Sequence, residues 1–188
     1  MASKRRSNGR SRKESPGGTE LLAAELQQIQ SAEDQLAREL PRFAKTVESG
    51  ALRRLLEQRL KQGRRLLREV DGALKRVHGG SRPRRNAAAQ GLISDARERV
   101  RDVEAGPALD AVLIAGIQKT EHYCIAAWGT AKSLARATGS KEATRTMDRA
   151  LKEGKALDRE LTRVAEREVT PALLAAADEE GDSTQRGQ

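Results

Sequence analysis

Three side chains capable of chemistry interrupt an otherwise apolar segment, LIAGIQKTEHYCIAAWGT, at residues 113–130. Glu121, His122 and Cys124 supply a carboxylate, an imidazole and a thiol, which are common ligands of transition metals in proteins. Helical spacing puts Glu121 and Cys124 on the same apolar stripe as Trp128, so we expect Glu121 to face the core. A buried carboxylate without a partner is unfavourable by several kcal/mol. Glu121 is therefore predicted to meet either a metal ion or another cation.

Three other long amphipathic segments also carry an irregularity near mid-length. Glu33 interrupts the apolar seam of the first segment, and Arg59 interrupts the seam of the second, with Gly63 one turn later. In the last segment Gly154 lies in the seam, directly after Glu153. Because these interruptions lie at a similar depth, we expect polar groups from several helices to meet in the middle of a bundle.

Glycines and prolines divide the chain into predicted helices. These run from Thr19 to Ser49, Ala51 to Val77, Asn86 to Glu104, Pro107 to Gly139 and Ser140 to Glu168. Pro41 lies inside the first helix and is expected to kink it. Since no segment shows the alternation of a strand, the predicted fold class is all-α: a four-helix bundle with a short additional helix between the second and third long helices. Residues 19–168 are predicted to form the bundle, residues 1–18 a disordered basic tail, and residues 169–188 a short mobile tail.

Composition limits the classes of function. The net charge of +9 and pI near 10.2 favour contact with polyanions, whereas 2% aromatic residues disfavour base stacking on single strands. The single Cys124 allows no intramolecular disulfide, which suits a cytoplasmic protein. No apolar run reaches the length of about 18 residues that a membrane span needs, so no membrane span is predicted. Catalytic triads, phosphate loops and dinucleotide fingerprints are also missing from the sequence.

The N-terminal tail is a candidate for nucleic-acid or membrane-surface binding. Its basic residues are Lys4, Arg5, Arg6, Arg10, Arg12 and Lys13. Flexible basic tails contact phosphates without sequence preference, and the loop SRPRR at residues 81–85 could assist. Alternatively, the tail only improves solubility. Arg64, Arg65 and Arg68 on the second helix are interpreted as an ordinary solvated face.

Three segments resemble the YciE/YciF family of ferritin-like proteins: LQQIQSAEDQLARELPRFAK, DAVLIAGIQKTEHYCIAAWGTAKSLA and ALKEGKALDRELTRVAE. The resemblance covers roughly residues 20–168. It implies a ferritin-like bundle that associates into a homodimer or other homo-oligomer, a di-iron centre and stress-linked expression.

The resemblance carries over to the metal ligands only in part. Glu33, Glu121 and His122 match family positions, and Glu153 retains one acid of a pair in the last helix. Other positions where the family has acids or imidazoles are occupied here by Arg59, Gln62, Gln90, Cys124 and Gly154. A di-iron site draws four glutamates and two histidines from its helices, and this chain no longer has that set.

We therefore interpret Glu33, Glu121, His122 and Glu153 as vestiges of a metal site. Arg59 is predicted to form a buried ion cluster with Glu33 and Glu121, because a guanidinium can bind carboxylates bidentately and stays charged. This reading predicts no catalytic residues and no cofactor. Two alternatives remain: a working di-iron ferroxidase with bound iron, and a non-specific DNA-binding protein that uses its basic tail.

Overall fold

The computed structural model describes residues 16–77 and 85–186, with side chains as far as residue 178. Its helices are α1 (Gly18–Thr46), α2 (Gly50–Arg76), α3 (Ala87–Arg101), α4 (Pro107–Ala137), α5 (Lys141–Val164) and α6 (Thr170–Arg186). A π-helical turn (Ala165–Val169) separates α5 from α6. The described ranges contain no strand, so the all-α prediction is confirmed.

The four long helices α1, α2, α4 and α5 form a bundle. Each packs against two others, in the order α1, α2, α5, α4 around the bundle. Short turns join α1 to α2 and α4 to α5, whereas the connection from α2 to α4 includes the short helix α3, which packs on α4 and α1. This is the predicted bundle with one extra helix. The side formed by α2 and α5 is left uncovered by α3.

Local side-chain interactions begin the helices near the predicted positions. The Asn86 carboxamide accepts a hydrogen bond from the amide of Ala89 at 2.9 Å, and Pro107 lies in the first turn of α4, both as expected. The first helix differs slightly: it begins at Gly18 rather than after Thr19, because the Glu20 carboxylate accepts from the amide of Gly17 at 3.0 Å.

Residues 169–188, predicted to be a short mobile tail, are helical over most of their length. The chain continues through the π-helical turn into α6, which extends to Arg186. Proline lacks an N–H and usually ends a helix, but Pro171 lies in the first turn after the irregularity, where its missing donor does little harm. The amide of Thr170 donates instead to the carbonyl of Ala165.

Two apolar clusters fill the bundle, one toward each end. The first contains Leu36, Leu40, Phe43, Leu52, Leu56, Leu113, Ile117, Leu157 and Leu161, among others. The second contains Leu22, Leu26, Ile29, Val70, Trp128, Met147 and their neighbours. The interruptions recognised in the sequence lie between these clusters, so a polar layer separates two apolar layers.

None of the helices within the described ranges combines the length and the hydropathy that a membrane crossing requires.

Candidate functional site

A buried ion cluster occupies the polar layer. α1 contributes Glu33, α2 contributes Arg59 and α4 contributes Glu121, each from the face that its helix turns toward the core. The Arg59 and Glu33 side chains are only 2% and 1% exposed. The structure therefore brings together the three residues that the sequence predicted to meet.

The guanidinium of Arg59 contacts both carboxylates directly. Nη1 and Nη2 donate to Oε2 and Oε1 of Glu33 at 2.8 and 2.9 Å, which is the bidentate arrangement. Nε donates to Oε2 of Glu121 at 2.6 Å, and Nη2 also lies 3.9 Å from Sγ of Cys124. Arg59 thus uses all three of its nitrogens within the cluster.

Trp128 closes another side of the arginine. The centroid of its ring lies 5.5 Å from Cζ of Arg59, within the range of a cation–π interaction. The negative face of an indole ring partly replaces the water that a buried guanidinium has lost. The sequence placed Trp128 on the core stripe, but no motif indicated this stacking.

Two glycines make room for the cluster. A Cβ atom at Gly63 would lie 2.9 Å from Oε2 of Glu33 and 3.0 Å from Nη1 of Arg59, as the sequence led us to expect. At Gly154 a Cβ atom would lie 2.4 Å from Cζ3 of Trp128 and 2.6 Å from Oε1 of Glu121. The second glycine therefore provides space for the ring and the carboxylate, which the sequence did not indicate.

The cluster contains two carboxylates and one guanidinium. Burial disfavours ionisation and raises the pKa of Glu121, although Arg59 partly opposes this shift. Burial alone would lower the pKa of Arg59, but Glu121 and Glu33 outweigh that effect and raise it well above its ordinary value. Oε1 of Glu121 is buried and has no hydrogen-bond partner. Arg59 therefore keeps its proton and its charge, and Glu121 is the group expected to take up a proton.

Cys124 is poorly suited to thiol chemistry in this position. Burial, together with the nearby charge of Glu33, raises the pKa of its thiol well above the ordinary value. Because the thiolate is the nucleophile and the metal ligand, a thiol that stays protonated is unreactive in both roles. Cys124 behaves as a small buried side chain.

Two of the sequence-predicted metal candidates lie away from the cluster. The His122 side chain is 67% exposed, and its Nε2 lies 3.1 Å from Oδ1 of Asp158. Glu153 points toward α2, where one of its carboxylate oxygens accepts a hydrogen bond from Arg65. The structure therefore does not join His122 or Glu153 to Glu33 and Glu121.

A di-iron centre does not fit the residues found in the polar layer. Glu33 and Glu121 are the two carboxylates there, and Arg59 takes up both oxygens of one and one oxygen of the other. Nowhere in residues 16–77 and 85–178 do three or more His, Cys, Asp or Glu side chains come together in a way that could hold a metal ion. The cation that both carboxylates contact is the guanidinium of Arg59.

Two buried polar side chains, Asn86 and Asp110, make long-range contacts that sequence reasoning missed. Asn86 donates to the carbonyl of Gln28 at 3.0 Å and contacts the Tyr123 hydroxyl at 2.6 Å, which ties the start of α3 to α1 and α4. Asp110 accepts from the amides of Glu48 and Ser49 at 3.1 and 2.7 Å. Each forms contacts distant in sequence, which a helical pattern does not reveal.

The basic tail predicted to bind nucleic acid lies outside the described residues. This applies to Lys4, Arg5, Arg6, Arg10, Arg12 and Lys13, and to most of the loop at residues 81–85.

Comparison with known proteins agrees with the fold and with the resemblance noted in the sequence. A domain of unknown function, DUF892, matches residues 18–174. Protein YciF of Escherichia coli K12 is 33% identical over 141 residues, which is 74% of this chain and 85% of YciF.

Solved structures agree as well. The crystal structure of the E. coli stress protein YciF superposes with a TM-score of 0.78 at 29% identity, covering 83% of this chain and 99% of that one. YcfI of Rhodopseudomonas palustris, proposed to be a structural protein, superposes with a TM-score of 0.74 at 27% identity, covering 80% and 96%. With its all-α bundle and these matches, the chain belongs to the DUF892 family and is a homologue of YciF.

Proposed function

We propose that this chain is a non-catalytic, stress-associated member of its family in which Arg59 takes the place of a di-iron centre. The observation that carries the proposal is the engagement of Glu33 and Glu121 by one buried guanidinium. A guanidinium supplies positive charge and hydrogen bonds at fixed geometry, but it neither changes oxidation state nor loses its proton near neutral pH. The centre of the bundle would then have a structural role.

The surroundings of the cluster support a structural role over a catalytic one. Catalysis requires a group that titrates near working pH or a reactive nucleophile within reach of a substrate. Cys124 is buried with a raised pKa, and the cluster is closed by Trp128 and two apolar layers. A cavity of about 10 Å³ between α2 and α5, lined partly by Arg59, Trp128 and Gly154, has room for about one water molecule.

The same contacts of Arg59 give less support to the alternative function, a working ferroxidase. Glu33 and Glu121 would have to exchange Arg59 for metal ions, and the displaced guanidinium would need a new partner. His122 and Glu153, the remaining candidates, interact with Asp158 and Arg65 instead. The description of YcfI as a proposed structural protein is compatible with the non-catalytic reading.

Thermal unfolding in the presence of metal ions tests the proposal. A ligand that binds only the folded state at a hundred times its Kd adds about 2.7 kcal/mol of stability, which raises Tm measurably. Wild-type protein should show no such rise with Fe²⁺ under anaerobic conditions, nor with Mn²⁺ or Zn²⁺. Arg59→Ala frees both carboxylates, so it should begin with a lower Tm that metal ions increase.

Two controls make the result interpretable. Arg65→Ala removes a partly exposed arginine from the same helix and should show neither a large loss of Tm nor a response to metal. If wild-type protein is stabilised by Fe²⁺ and Glu33→Gln or Glu121→Gln abolishes the effect, the carboxylates bind metal and the proposal is wrong. The measurements on wild-type protein and on the two glutamine variants give this result even if Arg59→Ala fails to fold.

A further inference from the structure

Charge is distributed unevenly around the bundle. Helices α2 and α5 together contain sixteen Lys or Arg and eight Asp or Glu residues, whereas α1, α3 and α4 together contain nine of each. Since α2 and α5 pack side by side and α3 covers α1 and α4, the excess positive charge lies on the uncovered side. We refer to the outward surface of α2 and α5 as the basic face.

Ion pairs across the basic face bring arginine outward and carboxylate inward. Arg65 pairs with Glu153, Arg149 with Glu69, and Arg76 with Glu142, each linking α2 to α5. In every pair the carboxylate side chain is less exposed than its arginine. Solvent therefore meets guanidinium groups, although each of these charges already has a partner.

Further cations on this face have no counterion. Lys61, Arg64 and Arg68 of α2, with Arg145 and Lys152 of α5, are all exposed and form no ion pair with any described residue. Like charges in such a group repel one another, and cations that neutralise phosphates release the counterions condensed on a polyanion, which favours binding. An ordinary solvated face, as the sequence suggested for Arg64, Arg65 and Arg68, would carry acids and bases in similar numbers, as α1, α3 and α4 do together.

One row of cations on α2 is about as long as one turn of a nucleic-acid duplex. Arg54, Lys61, Arg68 and Lys75 recur every seven residues on the exposed side of α2. At 1.5 Å per residue, the row spans about 32 Å, which is close to one turn of B-DNA at about 34 Å. A straight row of this length presents charge to one duplex turn without bending either molecule.

We propose that the basic face binds the phosphate backbone of duplex nucleic acid without sequence preference. A membrane surface is a poorer match, since interfacial helices bury large apolar side chains beside their basic ones. Within the described residues the exposed large apolar side chains are Leu21 and Leu174, neither of them on α2 or α5. Single strands are also a poorer match because aromatic residues make up only 2% of the chain.

Fluorescence anisotropy with two unrelated 24-base-pair duplexes tests the proposal on the full chain. Both duplexes should bind with similar affinity at 50 mM salt, and binding should weaken steeply as salt increases. Each phosphate contact contributes about 0.9 to the slope of log K against log salt concentration. Lys61→Glu/Arg64→Glu/Arg68→Glu should therefore weaken binding at least about tenfold and reduce the magnitude of the slope by about 2.7.

A matched variant outside α2 and α5 controls for net charge. Lys45→Glu/Arg99→Glu/Arg101→Glu changes the charge by the same amount, using exposed residues of α1 and α3 that form no ion pairs. It should keep the wild-type slope. Lys61→Gln/Arg64→Gln/Arg68→Gln should show the same reduction in slope. It replaces the glutamate variant if repulsion between the introduced glutamates prevents folding.

Several results would overturn the proposal. Wild-type protein that fails to bind either duplex at 50 mM salt excludes it. Equal losses in the two triple variants would indicate a net-charge effect, and an unchanged slope in the first would place binding on the N-terminal tail. Stronger association with phosphatidylglycerol vesicles than with duplex at the same salt concentration would identify a lipid surface as the partner.

Discussion

Two arginines on α2, six residues apart, illustrate how burial changes the meaning of an ion pair. Arg59 binds two carboxylates between the apolar layers, whereas Arg65 binds Glu153 at a partly exposed seam with α5. Both pairs have close contacts, but the side chains of Arg59 and Glu33 are 2% and 1% exposed, whereas those of Arg65 and Glu153 are 39% and 29% exposed. An exposed partner can be rehydrated when its pair is broken, and a buried one cannot. Both arginines pair with glutamate, so the difference in stability lost when each pair is broken reports how far each pair is buried.

The largest expected effect comes from removing the buried cation. Arg59→Ala should lower the free energy of unfolding by about 3–5 kcal/mol, because it strands two buried carboxylates. Arg65→Ala should lower it by at most about 1 kcal/mol. Chemical denaturation of both variants beside wild type measures the contrast. Similar losses for the two would mean that burial does not distinguish these arginines.

Removing all three charges sharpens that comparison. The triple variant Arg59→Met/Glu33→Leu/Glu121→Leu should recover most of the stability lost in Arg59→Ala, since apolar groups of similar size often replace a buried ion cluster without loss. The same denaturation experiment applies. If the triple variant is no more stable than Arg59→Ala, the cost arises from lost packing rather than from stranded charge.

The glycine at the α5 side of the cluster is expected to give the next largest effect. Gly154→Ala places a Cβ atom 2.4 Å from the Trp128 ring and should destabilise the protein by about 1–3 kcal/mol through overpacking. Gly129→Ala is the matched control, because its Cβ would meet nothing within 4 Å. That change should stabilise α4 by about 0.5–1 kcal/mol. If both variants shift the melting temperature in the same direction, the close packing of Trp128 against Gly154 is contradicted.

A smaller effect concerns pH. The folded pKa of Glu121 is raised by burial, so its favourable contribution is complete below the unfolded value of about 4.3 and is lost as pH rises through the folded pKa. Glu121→Gln keeps the shape without the charge. Its stability relative to wild type should therefore increase as pH rises from about 4 toward neutral. Urea denaturation at several pH values measures this, with Glu57→Gln, an exposed carboxylate on α2, as the control.

The smallest effect is expected at the histidine. His122→Ala removes a mostly exposed ring that contacts Asp158, so it should change stability by less than about 0.5 kcal/mol and leave metal content unaltered. A large loss of stability, or a change in bound metal, would show that His122 reaches the cluster in solution.

The sequence predicted the fold well because helical periodicity is a local signal. Glu33, Arg59 and Glu121 could be assigned to inward faces from their spacing alone, and Gly63 could be assigned to their neighbourhood. Contacts such as Asn86 with Tyr123, or Trp128 over Arg59, join separate helices, so no single helical pattern contains them. The sequence predicts that the last helix ends at Glu168, before Pro171, because proline normally ends a helix, whereas the chain here continues through a π-helical turn into α6.

Charge was harder to interpret than burial. Arg64 and Arg68 gave the ordinary pattern of a polar helix face, and only the packing of α2 beside α5 showed how many cations share one side. Two regions of this basic chain, the N-terminal tail and the basic face, are therefore candidates for binding a polyanion. Self-association as a homodimer or other homo-oligomer stays a prediction from the family resemblance.

Elemental analysis of untagged protein, purified from iron-supplemented cells without chelators, decides whether Arg59 replaces a metal centre. A guanidinium that replaces the metal centre predicts less than one iron atom per chain, with no other transition metal making up the difference. Two iron atoms per chain would contradict the account, because Glu33 and Glu121 could not then be held by Arg59 as described.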